Sequence, residues 1–315
     1  MAAMPAFRPR PLVPPTVPPS GLPIQFRHPA YPPRRNVLLT LPRVDDDGAG
    51  SPMGIHHATA LLACQIVSNN AFQGRLYTDR KGQNTVHKDG AEILADDVYY
   101  FLADPTDPNL KYPIVPTFGD WTFPHDQVPK NWITVMTPRT TTPECCLSDY
   151  EMSLKRSHIV PKEERDWFDT QRMELAPRLK DINDTGNLLT LRADIHGSYD
   201  AKMFAIVPKT GPNGVITYVT HFLGDADQDR QVRSLYHNVP LYYASHTVPE
   251  AHLARFAWAI SPKVKPFLLQ RCPRFLVRDD PEKEQLTEDV SGEELRDRYE
   301  YGGGGWAAFA WRQQG

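Results

Sequence analysis

The sequence has few cysteines, no excess of positive charge and no long apolar run. Its four cysteines form no C-x-x-C pair, which excludes a structural zinc site of the usual spacing. Cys145 and Cys146 are adjacent and poorly placed for a disulfide, so reduced thiols are the simplest interpretation. No segment approaches the ~20 apolar residues of a transmembrane helix, and the N-terminus lacks a signal-peptide core. The chain is therefore predicted to be intracellular, in the nucleus or cytoplasm, and not bound to a membrane.

The charge balance argues against a large nonspecific nucleic-acid surface. The formal net charge is −3, and residues 130–209 carry as many Lys and Arg as Asp and Glu residues. A polycationic protein is thereby excluded, whereas a local basic contact with nucleic acid is not.

Proline is abundant, with 31 residues, and much of it lies in residues 1–36, which contain no Asp or Glu. Such a segment buries too little apolar area to offset chain entropy, so residues 1–36 are predicted to form a disordered, partly polyproline II tail. The tail could bind a protein partner with a proline-binding module or tether nucleic acid, although a solvated tail is the simpler interpretation.

Residues 37–135 are predicted to form a mixed α/β accessory domain. Val37–Leu41 is expected to be its first strand, and apolar spacing predicts a helix from Ile55 to Val67. The acidic run Asp45–Asp47 is interpreted as a solvated loop, because its spacing fits no calcium loop. The aromatic stretch Phe118–His125 could stack on bases, but a loop that plugs the domain interface is the preferred interpretation.

The C-terminal half contains a predicted hairpin and a predicted helix. Strands at Phe204–Lys209 and Val215–Thr220 are joined by a turn that contains Asn213-Gly214. The helix is expected at Pro249–Ile260. Residues 279–315 are acidic and then glycine-rich, and are predicted to be a flexible tail.

Between these regions, four polar residues stand at the edges of apolar runs, in the order His158, Asn187, His196, Asp200. His196 and Asp200 are four residues apart, so on a helix their side chains share one face. An imidazole and a carboxylate at that spacing can hold a divalent cation, with Mg²⁺ or Mn²⁺ favoured and Zn²⁺ a further candidate.

These residues and their neighbours resemble the HNH nuclease family, most closely its HNH_2-type branch found in fungi. The resemblance rests on the pair Cys145-Cys146, on the runs His158-Ile159-Val160-Pro161 and Asn187-Leu188-Leu189-Thr190-Leu191-Arg192, and on Asp194-Ile195-His196-Gly197-Ser198-Tyr199-Asp200, which has Tyr199 where Phe is usual. It covers roughly a fifth of the chain. It implies an α+β protein with a ββα-metal module, in a nuclease domain predicted at residues 136–278.

The resemblance also implies roles for individual residues. His158 would be the general base that activates water, Asn187 would hold the base's loop, and His196 would bind the metal. Asp200 occupies the position of another metal ligand, and the products would be a 5′-phosphate and a 3′-hydroxyl. One departure is Ser157, a poor ligand where many members of the family have Asp or His.

Basic residues near His158 are candidates for substrate binding. Lys155 and Arg156 are placed to contact a nucleic-acid backbone. Arg192 could clamp a phosphate or pair with Asp194, and the sequence leaves both open.

Two functions follow from these patterns. The first is a divalent-metal-dependent HNH endonuclease, a hydrolase of ester bonds, that cuts the phosphodiester bonds of nucleic acid, with DNA favoured. The alternative is a catalytically weak or inactive HNH fold that serves as a binding or interaction module. Ser157 and the neutral charge favour the alternative, whereas the intact set of four polar residues favours the enzyme.

Overall fold

The computed structural model describes residues 21–46, 53–86, 93–133, 144–211, 214–224, 230–242, 244–280 and 283–301. Its strands, in chain order, are Ile24–Arg27 (β1), Val37–Leu41 (β2), Ile55–His56 (β3), Arg75–Tyr77 (β4), Ile93–Leu94 (β5), Val98–Leu102 (β6), Leu154–His158 (β7), Leu188–Arg192 (β8), Phe204–Thr210 (β9), Ile216–Phe222 (β10), Arg274–Asp280 (β11) and Lys283–Val290 (β12). Its α-helices are His57–Val67 (α1), Lys130–Ile133 (α2), Arg165–Thr170 (α3), Ala193–Asp200 (α4), Arg230–Tyr236 (α5), Pro249–Ile260 (α6), Lys265–Leu268 (α7) and Gly292–Arg296 (α8). The α+β class predicted from the sequence is confirmed.

The N-terminal sheet has the strand order β2-β1-β6-β4, with β1 antiparallel to β2 and parallel to β6. The predicted disordered tail is therefore wrong for residues 21–36, because β1 lies inside this sheet. Ile24 and Phe26 alternate with partly exposed residues and are fully buried. That period of two is the pattern of a strand with one face in the core. Residues 1–20, with two of the proline doublets, lie outside the described residues.

The predicted flexible tail at 279–315 is also wrong for the part of it that the structure describes. β11 pairs with β12 in an antiparallel hairpin, and α8 follows, with the Ser291 hydroxyl accepting a hydrogen bond from the Glu294 N–H. Val290 and Leu295 are buried. Apolar residues in an otherwise charged segment are enough to attach it to the core. Residues 302–315 lie outside the described residues.

The central segment is an antiparallel strand pair followed by a helix. Leu154 pairs with Arg192 at one end of the β7–β8 ladder, and His158 pairs with Leu188 at the other. α4 begins directly after β8 and packs against both strands. The predicted hairpin is confirmed as β9 and β10, and the predicted helix at Pro249–Ile260 is confirmed as α6.

One hydrophobic core extends from Ile24 to Tyr299. The aromatic loop predicted at Phe118–His125 contributes to it: Trp121 is 1% exposed, and its ring stacks on Trp167 of α3 at 5.7 Å. Trp167 also donates a hydrogen bond from Nε1 to Trp121 O at 2.8 Å. Side chains on both sides of the predicted boundary at residues 135/136 therefore share one core. None of the helices in the described residues is long and apolar enough to cross a membrane.

Candidate active site

His158 is the last residue of β7 and is half-buried. Its Nε2 lies 3.2 Å from Asn183 Oδ1. The Asn183 amide is oriented by Asp181, whose Oδ1 accepts from Asn183 Nδ2 at 2.7 Å. Because Asn183 Oδ1 can only accept, His158 donates from Nε2. Nδ1 is then the ring atom that can take up a proton.

Asn187 fixes the chain that follows His158. Its side chain is fully buried; Oδ1 accepts from the Val160 N–H at 2.8 Å, and Nδ2 donates to Val160 O at 3.0 Å and to Ile182 O at 2.8 Å. The Asn187 carbonyl accepts from the Ile159 N–H at 2.8 Å. Three of the four hydrogen bonds open to this amide are thus made to backbone, which holds the two residues after His158 against the start of β8.

His196 and Asp200 lie on one face of α4, with His196 Nε2 3.3 Å from Asp200 Oδ2. Their side chains are 28% and 51% exposed, so solvent and substrate can reach both. With ligand distances of about 2.1 Å, atoms at this separation subtend roughly 100° at one cation. That angle lies between the octahedral and tetrahedral values, so the pair fits a divalent ion that completes its shell with water.

Ser157 adds nothing to this pair. It is fully buried on the core side of β7, with 0% of its surface accessible, and its Oγ has no hydrogen-bond partner among the described residues. Successive side chains of a strand point to opposite faces, so Ser157 and His158 face different environments. The residue that departs from the family pattern is therefore a core residue here.

The predicted substrate-binding residues divide into two kinds. Lys155 and Arg156 are exposed on β7. Arg192, in contrast, donates to Asp194 from two nitrogens, at 2.6 and 2.7 Å, and to the Tyr236 hydroxyl at 3.0 Å. Of the two alternatives left open by the sequence, the structure shows the ion pair with Asp194.

The sequence did not single out a second group of His and Asp residues. Asp45, His221 and His237 have ligand atoms that all lie within 4.8 Å of one another. Asp45 is 3% exposed, so the interpretation of this residue as part of a solvated loop is wrong. Lys209 Nζ lies 2.5 Å from Asp45 Oδ1, and His237 Nε2 lies 2.9 Å from the same oxygen.

The charges of this second group are already compensated. Burial by itself would raise the pKa of Asp45, but the Lys209 ammonium and the hydrogen bond from His237 outweigh it and hold the pKa well below its usual range. Burial lowers the pKa of both His221 and His237, so both are neutral at pH 7. The three residues could hold a metal, but the Lys209 ammonium stands where the cation's charge is needed.

Two further residues near the site were missed in the sequence. Asn183 lies in the polar turn Asp181–Asp184. The short distance in sequence between this turn and Asn187 is the feature that could have pointed to Asn183. Arg255 lies in the middle of α6 among apolar residues, and it is 1% exposed. A charged residue on a buried helix face is the signal that could have pointed to it, because burying an arginine requires partners.

Residues 140–207 match the family model described as HNH endonuclease, which places an HNH nuclease domain in this part of the chain. The match includes β7, β8, α4 and the first residues of β9, and therefore all four polar residues of the site. Comparisons with curated proteins and with solved structures gave no match.

Proposed function

We propose that this protein is a divalent-metal-dependent endonuclease that hydrolyses phosphodiester bonds of DNA, with β7, β8 and α4 as its ββα-metal module. The observation that carries the proposal is the Asn187 side chain, whose hydrogen bonds hold Val160 and thereby the loop of His158. A buried amide that fixes the chain after a histidine holds the imidazole in one position, which a general base requires.

His158 is the general base in this proposal. Asn183 Oδ1 accepts the Nε2–H and sets the tautomer, so Nδ1 takes the proton from the attacking water. The water oxygen forms a bond to phosphorus while the bond from phosphorus to the 3′-oxygen breaks. The products are a 5′-phosphate and a 3′-hydroxyl.

His196 and Asp200 would hold the metal, Mg²⁺ or Mn²⁺ by ligand type, with Zn²⁺ also compatible. A divalent ion bound there would offset the charge that develops on the scissile phosphate and on the leaving oxygen. Both side chains reach solvent, which keeps positions open for water and substrate.

Lys155 and Arg156 contact the substrate backbone, because they are exposed on the strand that ends in the base. Arg192 makes a smaller contribution, because its charge is paired with Asp194. A DNA substrate agrees with an intracellular site of action, in the nucleus or the cytoplasm.

The second candidate function is a catalytically inactive module that binds nucleic acid. It is favoured by the burial of Ser157, which leaves two protein ligands at the proposed metal position. Two ligands and several waters suffice for Mg²⁺ in many phosphate-handling sites, so the enzyme is preferred.

Plasmid nicking by the purified chain separates the two functions. We expect nicks with Mg²⁺ or Mn²⁺ and none with EDTA. DNA ligase should reseal the nicks without prior phosphorylation, because the ends carry a 5′-phosphate and a 3′-hydroxyl. DNA binding without nicking under any of Mg²⁺, Mn²⁺ and Zn²⁺ would establish the binding module instead.

A further inference from the structure

Arg255 lies on α6, outside the residues that match the nuclease family, and its guanidinium contacts both halves of the site. Nη1 donates to Ile159 O at 3.3 Å. Nη2 donates to Tyr199 O and lies 3.9 Å from Asp200 Oδ1. One rigid group therefore joins the residue after His158 to the last two residues of α4.

Two aromatic rings fix the plane of this guanidinium. Its central carbon lies 3.7 Å from the centre of the Tyr199 ring and 4.4 Å from that of Trp258. Trp258 is held in turn by a hydrogen bond from Nε1 to Glu164 Oε1 at 2.8 Å. An arginine stacked in this way directs its N–H groups along one plane, which a flexible ammonium does not do.

The same contact orients the carboxylate of Asp200. Oδ1 faces Arg255 at 3.9 Å, while Oδ2 faces His196 Nε2 at 3.3 Å. One oxygen of the Asp200 carboxylate therefore lies on the Arg255 side, and the other lies beside His196 on the exposed face of α4.

We propose that Arg255 is a positioning residue of the nuclease site, which sets the geometry of His158 relative to His196 and Asp200. This inference rests on the proposed function, because that function gives those three residues their roles. Arg255 is 1% exposed and cannot touch a substrate, so its loss should lower kcat and leave KM unchanged.

Arg274 offers a matched control. It is also fully buried, its guanidinium stacks at 3.5 Å on the Phe267 ring, and it donates to Phe267 O at 3.0 and 2.7 Å. Its contacts lie on α7 and the N-terminal region rather than on β7 or α4. Arg274→Lys should therefore cost stability for the same reasons as Arg255→Lys without disturbing the site.

The first measurement is nicking by Arg255→Lys and Arg274→Lys, at a temperature where both are folded. Lysine keeps the charge but cannot reach two backbone carbonyls with one planar fork. We expect kcat of Arg255→Lys to fall about ten- to hundredfold, the size of effect that small misplacements of catalytic groups produce, with KM within about twofold. Arg274→Lys should leave kcat and KM within about twofold of the wild type.

The second measurement does not depend on activity. Amide hydrogen exchange should become faster in residues 158–160 and 199–201 of Arg255→Lys, in both segments together, and in neither segment of Arg274→Lys. Equal exchange in the two variants overturns the proposal, and so does faster exchange with unchanged kcat. A wild-type protein that cuts no DNA refutes the proposed function, while the exchange comparison still decides whether Arg255 joins the two segments.

Trp258→Phe is a milder variant that tests the same role if Arg255→Lys does not fold. It leaves both backbone acceptors of Arg255 in place but removes the hydrogen bond to Glu164 and part of one stacking face. We expect a smaller loss of kcat in the same direction, together with faster exchange of both segments. Unchanged kcat and exchange in this variant would count against the positioning role.

Discussion

Two groups of histidine and aspartate lie in this protein, and they differ in access. The nuclease cluster denotes the residues proposed for catalysis and metal binding, His158, His196 and Asp200; the buried cluster is Asp45, His221 and His237. His196 and Asp200 are 28% and 51% exposed, whereas Asp45 and His221 are 3% and 0% exposed. The buried cluster has the closer set of three ligand atoms, yet Lys209 already neutralises its carboxylate. The type and proximity of ligand atoms therefore identify a reactive site only when solvent can reach those atoms and when no neighbouring charge already neutralises them.

The buried cluster holds distant parts of the chain together. Asp45 lies beside β3, and its partners lie on β9, on β10 and just after α5, more than 160 residues away in sequence. The Asn238 side chain also donates to Asp45 Oδ1, and the His56 N–H donates to Oδ2. These contacts assign the buried cluster a part in stability, whereas the role proposed for the nuclease cluster is chemical.

The largest expected effect is on catalysis by the nuclease cluster. His158→Ala should lower kcat about 10²- to 10⁴-fold, the usual contribution of a general base, and leave Mn²⁺ affinity within about twofold. Nicking kinetics and calorimetric titration measure the two quantities. His125→Ala, which changes a histidine outside both clusters, is the control. Equal rates for wild type and His158→Ala would refute the role of the base.

The next effect is on the stability supplied by the buried cluster. Lys209→Met removes the ammonium and leaves the Asp45 carboxylate buried with neutral donors. Breaking a buried ion pair in this way should lower the free energy of unfolding by about 3–5 kcal/mol. Denaturant unfolding measures it, with the exposed Lys162→Met as a control that should change stability by less than about 0.5 kcal/mol. Added Zn²⁺ should restore part of the loss only in Lys209→Met, since the cation can then take the ammonium's place.

A smaller effect concerns the metal. His196→Ala and Asp200→Ala should each weaken Mn²⁺ binding at least about tenfold, the least that loss of a supporting group causes. The double variant should be little weaker than the worse single one, because the two residues act as a unit. High Mn²⁺ should restore nicking in the single variants but not in His158→Ala. If Asp200→Ala binds Mn²⁺ as tightly as wild type, Asp200 is not a ligand.

The last effect is a pH dependence that belongs to the buried cluster. His221 and His237 have lowered pKa values in the folded state, so below about pH 6.5 the unfolded chain binds protons that the native state resists. As the pH is lowered, the free energy of unfolding should therefore fall by up to about 1.4 kcal/mol per pH unit for each histidine. Below about pH 4 the stabilisation from Asp45 is lost as well, because its folded pKa is depressed.

Unfolding of wild type and His237→Gln between pH 4 and 8 measures this dependence. Burial also lowers the pKa values of His28 and His252, both to about 3, so only the difference between the two proteins isolates the cluster. The variant should show the shallower slope. Parallel pH profiles would mean that His237 titrates alike in both states.

The two clusters also show how far the sequence could lead. His196, Asp200 and Asn187 could be proposed as site residues from the sequence because their signals are local: His196 and Asp200 are four apart on a helix, and Asn187 directly precedes a strand. The buried cluster could not be predicted from the sequence, because Asp45 and His237 are separated by 192 residues and no spacing rule relates them. Its members come together only through the packing of the β9–β10 hairpin on the N-terminal region.

The predicted ends of the chain failed for a different reason. Proline content dominated the prediction for residues 21–36, although Ile24 and Phe26 show the alternation of a strand. For the segment Lys283–Val290, the high charge content dominated the prediction, although Val290 is buried. Composition averages over a window, whereas burial of one or two side chains is enough to attach a strand to a core. Arg255 escapes prediction in a similar way, because the apolar periodicity predicts the helix α6 without any account of the charged residue within it.

The large sequence separation between Arg255 and its partners has a consequence during synthesis of the chain. The residue whose carbonyl it binds, Ile159, precedes it by 96 residues. At about 5–20 residues per second, a ribosome takes on the order of 5 to 20 s to cover that distance. In the later part of this interval the strand pair and α4 have been synthesised, whereas α6 has not. On the function and the positioning role proposed above, the nascent chain would then carry the residues of the nuclease site without their final alignment.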